Sequence, residues 1–252
     1  MTNLPVDEIA RTARHPNTVI HVRNGAAMAL AAASGATDAI GYLGLGHVFT
    51  SAMTGNLVLL GISLGHRNGL RAGRVLVSLV CFMAGAALGS RVARTPQPDD
   101  PVWPSAVTTA LVIEVPLFIA YATCWWAVGA RPDFVAKVVL LGLGAIMLGI
   151  QSSAMQRFGA ALNTTFLSGA LTLLVGQLAT GHPFRDTRHH LLVLVGLVSG
   201  GSLAALLVMH APMFAPVVQL AGLAAALGAA GWHARTRHRG VQDGTQNAVQ
   251  AA

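Results

Sequence analysis

Charge is what this 252-residue chain has least of: Asp, Glu, Lys and Arg together make 10% of it, against 54% hydrophobic residues. A soluble domain carries about a quarter charged residues. A soluble fold of this size would have to hide most of that apolar surface with little charge left to meet water. Aromatics are also scarce, at 6%, so base stacking has little to work with. The net charge of +7 would point to nucleic acid in a soluble protein. Here the basic residues lie in short gaps between apolar runs, where they read as topology signals and contacts to anionic lipid. Nucleic acid is therefore excluded as a partner. The two cysteines, Cys81 and Cys124, both fall inside apolar stretches, which gives neither a disulfide framework nor a paired-cysteine metal spacing. "AMALAAASGA" resembles the core of a signal peptide, but a polar preface containing Asp7 and Glu8 is the wrong one for cleavage.

What the chain does have is apolar runs close to the length of a bilayer span, about 20 residues at 1.5 Å rise. Eight are marked out, at 24–45, 47–65, 74–93, 105–129, 136–156, 161–179, 189–210 and 213–233. The fold class expected is all-α, a polytopic transmembrane helix bundle of about 8 helices, with 6–7 full spans as the alternative if one piece is re-entrant. Segment 1–23 is expected to be a cytoplasmic N-terminal piece, 24–234 the transmembrane domain, and 235–252 a disordered polar tail. Numbering the gaps alternately places 13 of the 16 basic residues on one side, including Arg67, Arg71 and Arg74. That asymmetry predicts an inner-membrane protein with both termini in the cytoplasm.

Thr54-Gly55 and Ser168-Gly169 stand 114 positions apart, as do Gly35 and Gly149. The same offset pairs Arg71 and Arg74 with Arg185 and Arg188. This predicts an internal repeat, about 24–129 and 136–233. Four crossings per unit would make the two copies parallel.

The second run, "HVFTSAMTGNLVLLGISLG", carries Ser51, Thr54, Gly55 and Asn56 where a lipid-facing span would be apolar. Unpartnered polar groups in hydrocarbon cost several kcal/mol, so these must face protein or water. The counterpart "LNTTFLSGALTLL" offers Thr164, Ser168 and Gly169. Interrupted helices at corresponding places in two halves point to a transporter's central site. A small-residue seam joined by hydroxyl bonds is the alternative. Asp38 and Glu114 lie in apolar surroundings, where an acid is functional by default, and both are candidates for proton exchange. Glu114, just before Val115-Pro116, could instead hold a kink or pair with an arginine. Asp38 falls opposite Ser152, beside Gln151, in the offset. Gly85-x-x-x-Gly89 and Gly196-x-x-x-Gly200 have the spacing of close helix contacts. "HPFRDTRHH" has helix-face spacing of His182, Asp186 and His189 or His190, but reads better as a solvated basic loop than as a metal site.

Asp38-Ala39, Phe49 and Met53 to Leu57, followed by Gly149-Ile150-Gln151 and Ser168-Gly169, resemble the signature of the YoaK-type family, bacterial integral membrane proteins whose domain is of unknown function. Serine stands at 168 where the family has threonine, so the second copy departs from the pattern. The resemblance spans about 20 to 235 and implies a polytopic inner-membrane protein without supplying a substrate. No serine elbow, bilayer metal set or phosphate loop marks an enzyme, and no cofactor is implied. The expected function is small-molecule transport or export, proton-linked through Asp38, with the bilayer as partner and a homo-oligomer allowed. A non-transporting scaffold subunit is the alternative.

Overall fold

The computed structural model describes residues 6–93, 103–158, 167–181 and 183–250. Among them are eight α-helices: α1 (Val6–Gly44), α2 (Met53–Gly65), α3 (Gly69–Ala93), α4 (Ser105–Ala127), α5 (Phe134–Met155), α6 (Leu167–Ala179), α7 (Phe184–His210) and α8 (Ala215–Gln250). The all-α polytopic bundle is as the sequence predicts. Breaks fall where glycine, proline or a capping side chain stops the helix. Before α5, for example, Asp133 accepts from the Ala136 N–H at 2.8 Å, a standard N-cap.

Among the described residues five helical stretches are long and apolar enough to cross a membrane: α3, α4, α5, Thr187–His210 within α7, and Pro212–Arg235, which runs into α8. α1 is richer in alanine because it is central. Ala27, Leu30, Ala31, Ala36 and Ile40 are fully buried, wrapped by α7, α8 and α5.

Contacts between backbones fix the direction of every crossing. Along the α1–α7 pair, Met28 meets Gly196, Ala32 meets Gly200, and Gly35 meets Leu197 and Gly201, so the two helices run parallel. Along α3–α5, Phe82 and Ala86 meet Gly149, Gly85 meets Ile146 and Gly89 meets Ile150, again parallel. A Cβ at Gly200 would fall on the Ala32 carbonyl, and one at Gly85 on the Ile146 carbonyl. Both expected small-residue seams therefore exist, at backbone-to-backbone distance. α1 and α5 are antiparallel instead: Thr37 touches Gly144, while the Gln151 amide reaches the Leu30 carbonyl.

The face at which α1 ends is called the far face here, and the face near Arg23 the near face. At the far face Gly44 packs on Trp125, whose indole N–H donates to the Pro212 carbonyl at 2.9 Å. Gly46 packs on Arg74, whose guanidinium lies 5.5 Å from the Phe134 ring centre. α3 therefore starts where α1 stops, and α2 between them cannot cross. α5 and α7 likewise share the near face, where Arg188 lies 3.3 Å from His21, so α6 cannot cross either. α2 and α6 each have 13 residues, too few for a span.

Among the described residues, six helices thus run from one face to the other while α2 and α6 stop short, which fits the alternative the sequence left open. Counting α2 and α6 as crossings is what predicted parallel halves. α1 and α5, which the 114-residue offset would pair, instead run in opposite senses. Because α2 does not cross, Arg67, Arg71 and Arg74 move to the face opposite Arg23. The tail expected to be disordered continues α8 as helix through Gln250.

Candidate functional site

α1 ends in a turn where Gly46 and His47 have φ of 106° and 60°, the left-handed region that Gly tolerates freely. The chain then doubles back, non-helical, over residues 48–52 before α2 begins. Backbone at this depth cannot rely on water, so its donors need protein acceptors. Asp38, six residues or about 9 Å of helix below Gly44, supplies them. Its Oδ1 accepts from the Thr50 N–H at 2.6 Å, the Thr50 hydroxyl at 2.9 Å and the Ser51 N–H at 2.7 Å. Its Oδ2 accepts from the Ser51 hydroxyl at 2.6 Å. The Ser34 hydroxyl adds a bond to the Ser51 hydroxyl at 3.0 Å.

Asn56 does the same for Phe49. Its Oδ1 accepts from the Phe49 N–H at 3.0 Å and its Nδ2 donates to the Phe49 carbonyl at 2.7 Å. Nδ2 also lies 3.2 Å from the Ser78 hydroxyl of α3, which donates to that carbonyl at 2.6 Å. Asn56 is fully buried, while Leu57, Val58 and Leu64 on the same helix are exposed. α2 is therefore polar inward and apolar outward, the arrangement a lipid solvent selects. Gly55 sits against the Phe49 ring, and Thr54 is exposed.

Beside this staple lies a cavity of about 460 Å³ between α1, the re-entrant segment and α7, lined by Gly35, Asp38, Tyr42, Phe49, Leu197 and Ser202 among others. Tyr42 stacks on Phe49 with centroids 5.1 Å apart. The walls are apolar apart from the half-buried Asp38 carboxylate and the Ser202 hydroxyl.

The other predicted polar residues assemble elsewhere. Glu114 of α4 and Gln151 of α5 face a second, small cavity of about 20 Å³ together with Thr37 of α1 and Gln219 of α8. Glu114, Gln151 and Gln219 are each at most 3% exposed. The sequence reading noted Thr37 as a flank of Asp38 but missed Gln219, Ser34 and Ser78. Only Gln219 had a legible signal, an amide inside the run "PVVQLAGL".

The α6 candidates do not join either cavity in what is described. Thr164 lies outside the described residues, as does the side chain of Ser168, and Gly169 is exposed. α6 packs on α7, whereas α2 packs on α3. His182 and the Asp186 side chain also fall outside the described residues. His189 and His190 stack with centroids 3.9 Å apart.

The profile of a family described as "Protein of unknown function (DUF1275)" matches residues 26–230. The chain is similar to the UPF0700 transmembrane protein YoaK of Bacillus subtilis (strain 168), at 34% identity over 163 residues, 64% of this chain and 70% of that protein. No solved structure matches.

Proposed function

This chain belongs to the DUF1275 family of YoaK-type transmembrane proteins, and from that premise we propose that it is a small-molecule permease working by exchange against protons. The observation that carries the reading is the interrupted α1–α2 hairpin, with a carboxylate at its break opening onto an apolar groove. Broken helices at membrane depth are where transporters hold substrate, and irregular backbone there is tolerated only beside protein or a water-lined cavity. Tyr42, Phe49 and Asp38 together suit a small apolar cation, which aromatic faces and a carboxylate both attract. In this reading proton and substrate compete for Asp38. The equal lengths of α2 and α6 and the opposite senses of α1 and α5 support a duplicated, inverted architecture of the kind many transporters use. The near face carries Arg11, Arg14, Arg23, Arg91, Arg157, Arg185, Arg188, Arg235, Arg237 and Arg239, against Arg67, Arg71, Arg74, Arg131 and Lys137 on the other. That bias supports the inner membrane, with both ends of the chain in the cytoplasm. The reading assigns no enzymatic step.

A scaffold role has one observation in its favour: Asn56 and Ser78 knit α2 and α3 to the Phe49 carbonyl by hydrogen bonds. Flux decides between the two. The purified chain, reconstituted in liposomes under an imposed pH gradient, is expected to move ethidium or tetraphenylphosphonium faster than protein-free vesicles. Asp38→Asn is expected to express normally and to lower that gradient-driven rate at least about tenfold, since Asn cannot exchange a proton. Flux equal to protein-free vesicles for both cations removes the permease reading, and undiminished flux in Asp38→Asn removes the role of Asp38.

A further inference from the structure

The small central cavity holds a carboxylate that nothing in the re-entrant hairpin accounts for. Glu114 is 3% exposed, and its Oε1 has no hydrogen-bond partner. Gln219, across the cavity on α8, is in the same position: buried, with Oε1 unpartnered. An isolated buried acid is expensive, and each orphaned acceptor adds about 1–3 kcal/mol.

The neighbouring side chains spend their hydrogens elsewhere. The Thr37 hydroxyl donates to the Ala33 carbonyl at 2.7 Å, so toward Gln219 its oxygen can only accept. A Thr37 hydroxyl held this way accepts from the amide nitrogen of Gln219 at 2.7 Å. That orientation is what leaves Gln219 Oε1 free. Gln151 points its amide nitrogen at the Leu30 carbonyl at 3.2 Å. The buried Tyr121 hydroxyl lies beside Gln219, but Tyr121 is not among the residues that line the cavity.

Two unpartnered acceptor oxygens, on Glu114 and Gln219, thus belong to residues that border one small cavity between four helices. At about 20 Å³ it exceeds the roughly 10–15 Å³ needed for one water-sized body. A hydrated ion does not fit. A divalent ion would keep one of its two charges unmatched by the single carboxylate, and such ions take several charged oxygens or keep their water. One dehydrated monovalent ion fits both the space and the charge.

We propose that Glu114 Oε1 and Gln219 Oε1, with the Thr37 and Gln151 oxygens beside them, form a sodium-binding site at the crossing of α1, α4, α5 and α8. It is separate from the Asp38 groove and does not depend on whether the protein transports. Sodium neutralises Glu114 and ties together four helices that otherwise meet over a void.

Binding of radioactive sodium to the detergent-purified full chain, measured by scintillation proximity, tests this without any flux. One saturable site per chain is expected, lost in Glu114→Gln, at least about tenfold weaker in Gln219→Leu, and unchanged in Asp38→Asn. Sodium chloride is expected to raise Tm over choline chloride in the wild type and not in Glu114→Gln, because ligand that binds only the folded state stabilises it. Glu114→Gln is neutral and of equal size, and the wild-type measurement alone suffices if it misfolds. No saturable sodium binding by the wild type would overturn the site, leaving Glu114 neutralised by a proton. Sodium binding that survives in a folded Glu114→Gln would overturn it equally.

Discussion

Gly200→Val and Gly85→Val are each expected to unfold or split the bundle, with a loss of about 3 kcal/mol or more. A Cβ at Gly200 has only the Ala32 carbonyl and its flanking backbone to occupy, and at Gly85 the Ile146 backbone. Overpacking usually costs about 1–3 kcal/mol when side chains can shift. Here the obstacle is a helix main chain, so the helices must separate along several turns. That forfeits the close packing that replaces the hydrophobic effect between helices in lipid. Gly61→Ala is the counter-experiment. Nothing lies within 4 Å of a Cβ there, and alanine should add up to about 1 kcal/mol through helix propensity. Thermal unfolding in detergent, with the monodisperse fraction by size exclusion, reads both. If Gly200→Val and Gly61→Ala melt alike, the parallel α1–α7 and α3–α5 seams do not hold the fold.

The lengths of α3, α4, α5 and α7 were legible because the apolar runs end at Gly, Pro or Arg, and an uncharged stretch of that length has few other uses. Directions were not. Hydropathy counts residues and ignores their shape, so 47–65 reads as one span although only Met53–Gly65 is helical. The warning was the cluster from Ser51 to Asn56, whose polarity marked a break but not that the chain turns back. Charge misled the count: Arg67, between α2 and α3, and Arg71 and Arg74, early in α3, joined the basic majority only when α2 was taken as a crossing. Counting α2 as a crossing then gives the wrong sense for α5 relative to α1, which run antiparallel. At the sites, acids announced themselves: Asp38 and Glu114 are the carboxylates buried in apolar sequence. Their partners did not. Ser34, Thr37 and Ser78 are single hydroxyls of a kind common in any membrane helix, and only tertiary packing sets Ser78 against Asn56 or Thr37 against Gln219. The meeting of Glu114 and Gln151 at one cavity between α4 and α5 likewise has no trace in spacing.

Asp38→Ala is expected to be far more damaging than Asp38→Asn, and the difference separates anchoring from exchange. Alanine leaves the Thr50 and Ser51 N–H groups and both hydroxyls without the acceptor that now takes all four. Hydrogen bonds to a charged acceptor are worth about 1.5–3 kcal/mol each, but four on one group are not additive. Removing one member of a buried charged network costs about 3–5 kcal/mol, which is the loss expected here. Asn keeps a carbonyl oxygen for the three donors of Oδ1, and the Ser51 hydroxyl can accept from its amide instead, so about 1–2 kcal/mol should go. Ala52, already exposed at the end of the segment, offers a local probe. A cysteine introduced there should react with a maleimide at least about tenfold faster in Asp38→Ala than in the wild type, and close to the wild-type rate in Asp38→Asn. Equal reaction rates in all three would mean that residues 48–52 are held by packing against α3 and α5, and that the carboxylate is free to serve the groove alone.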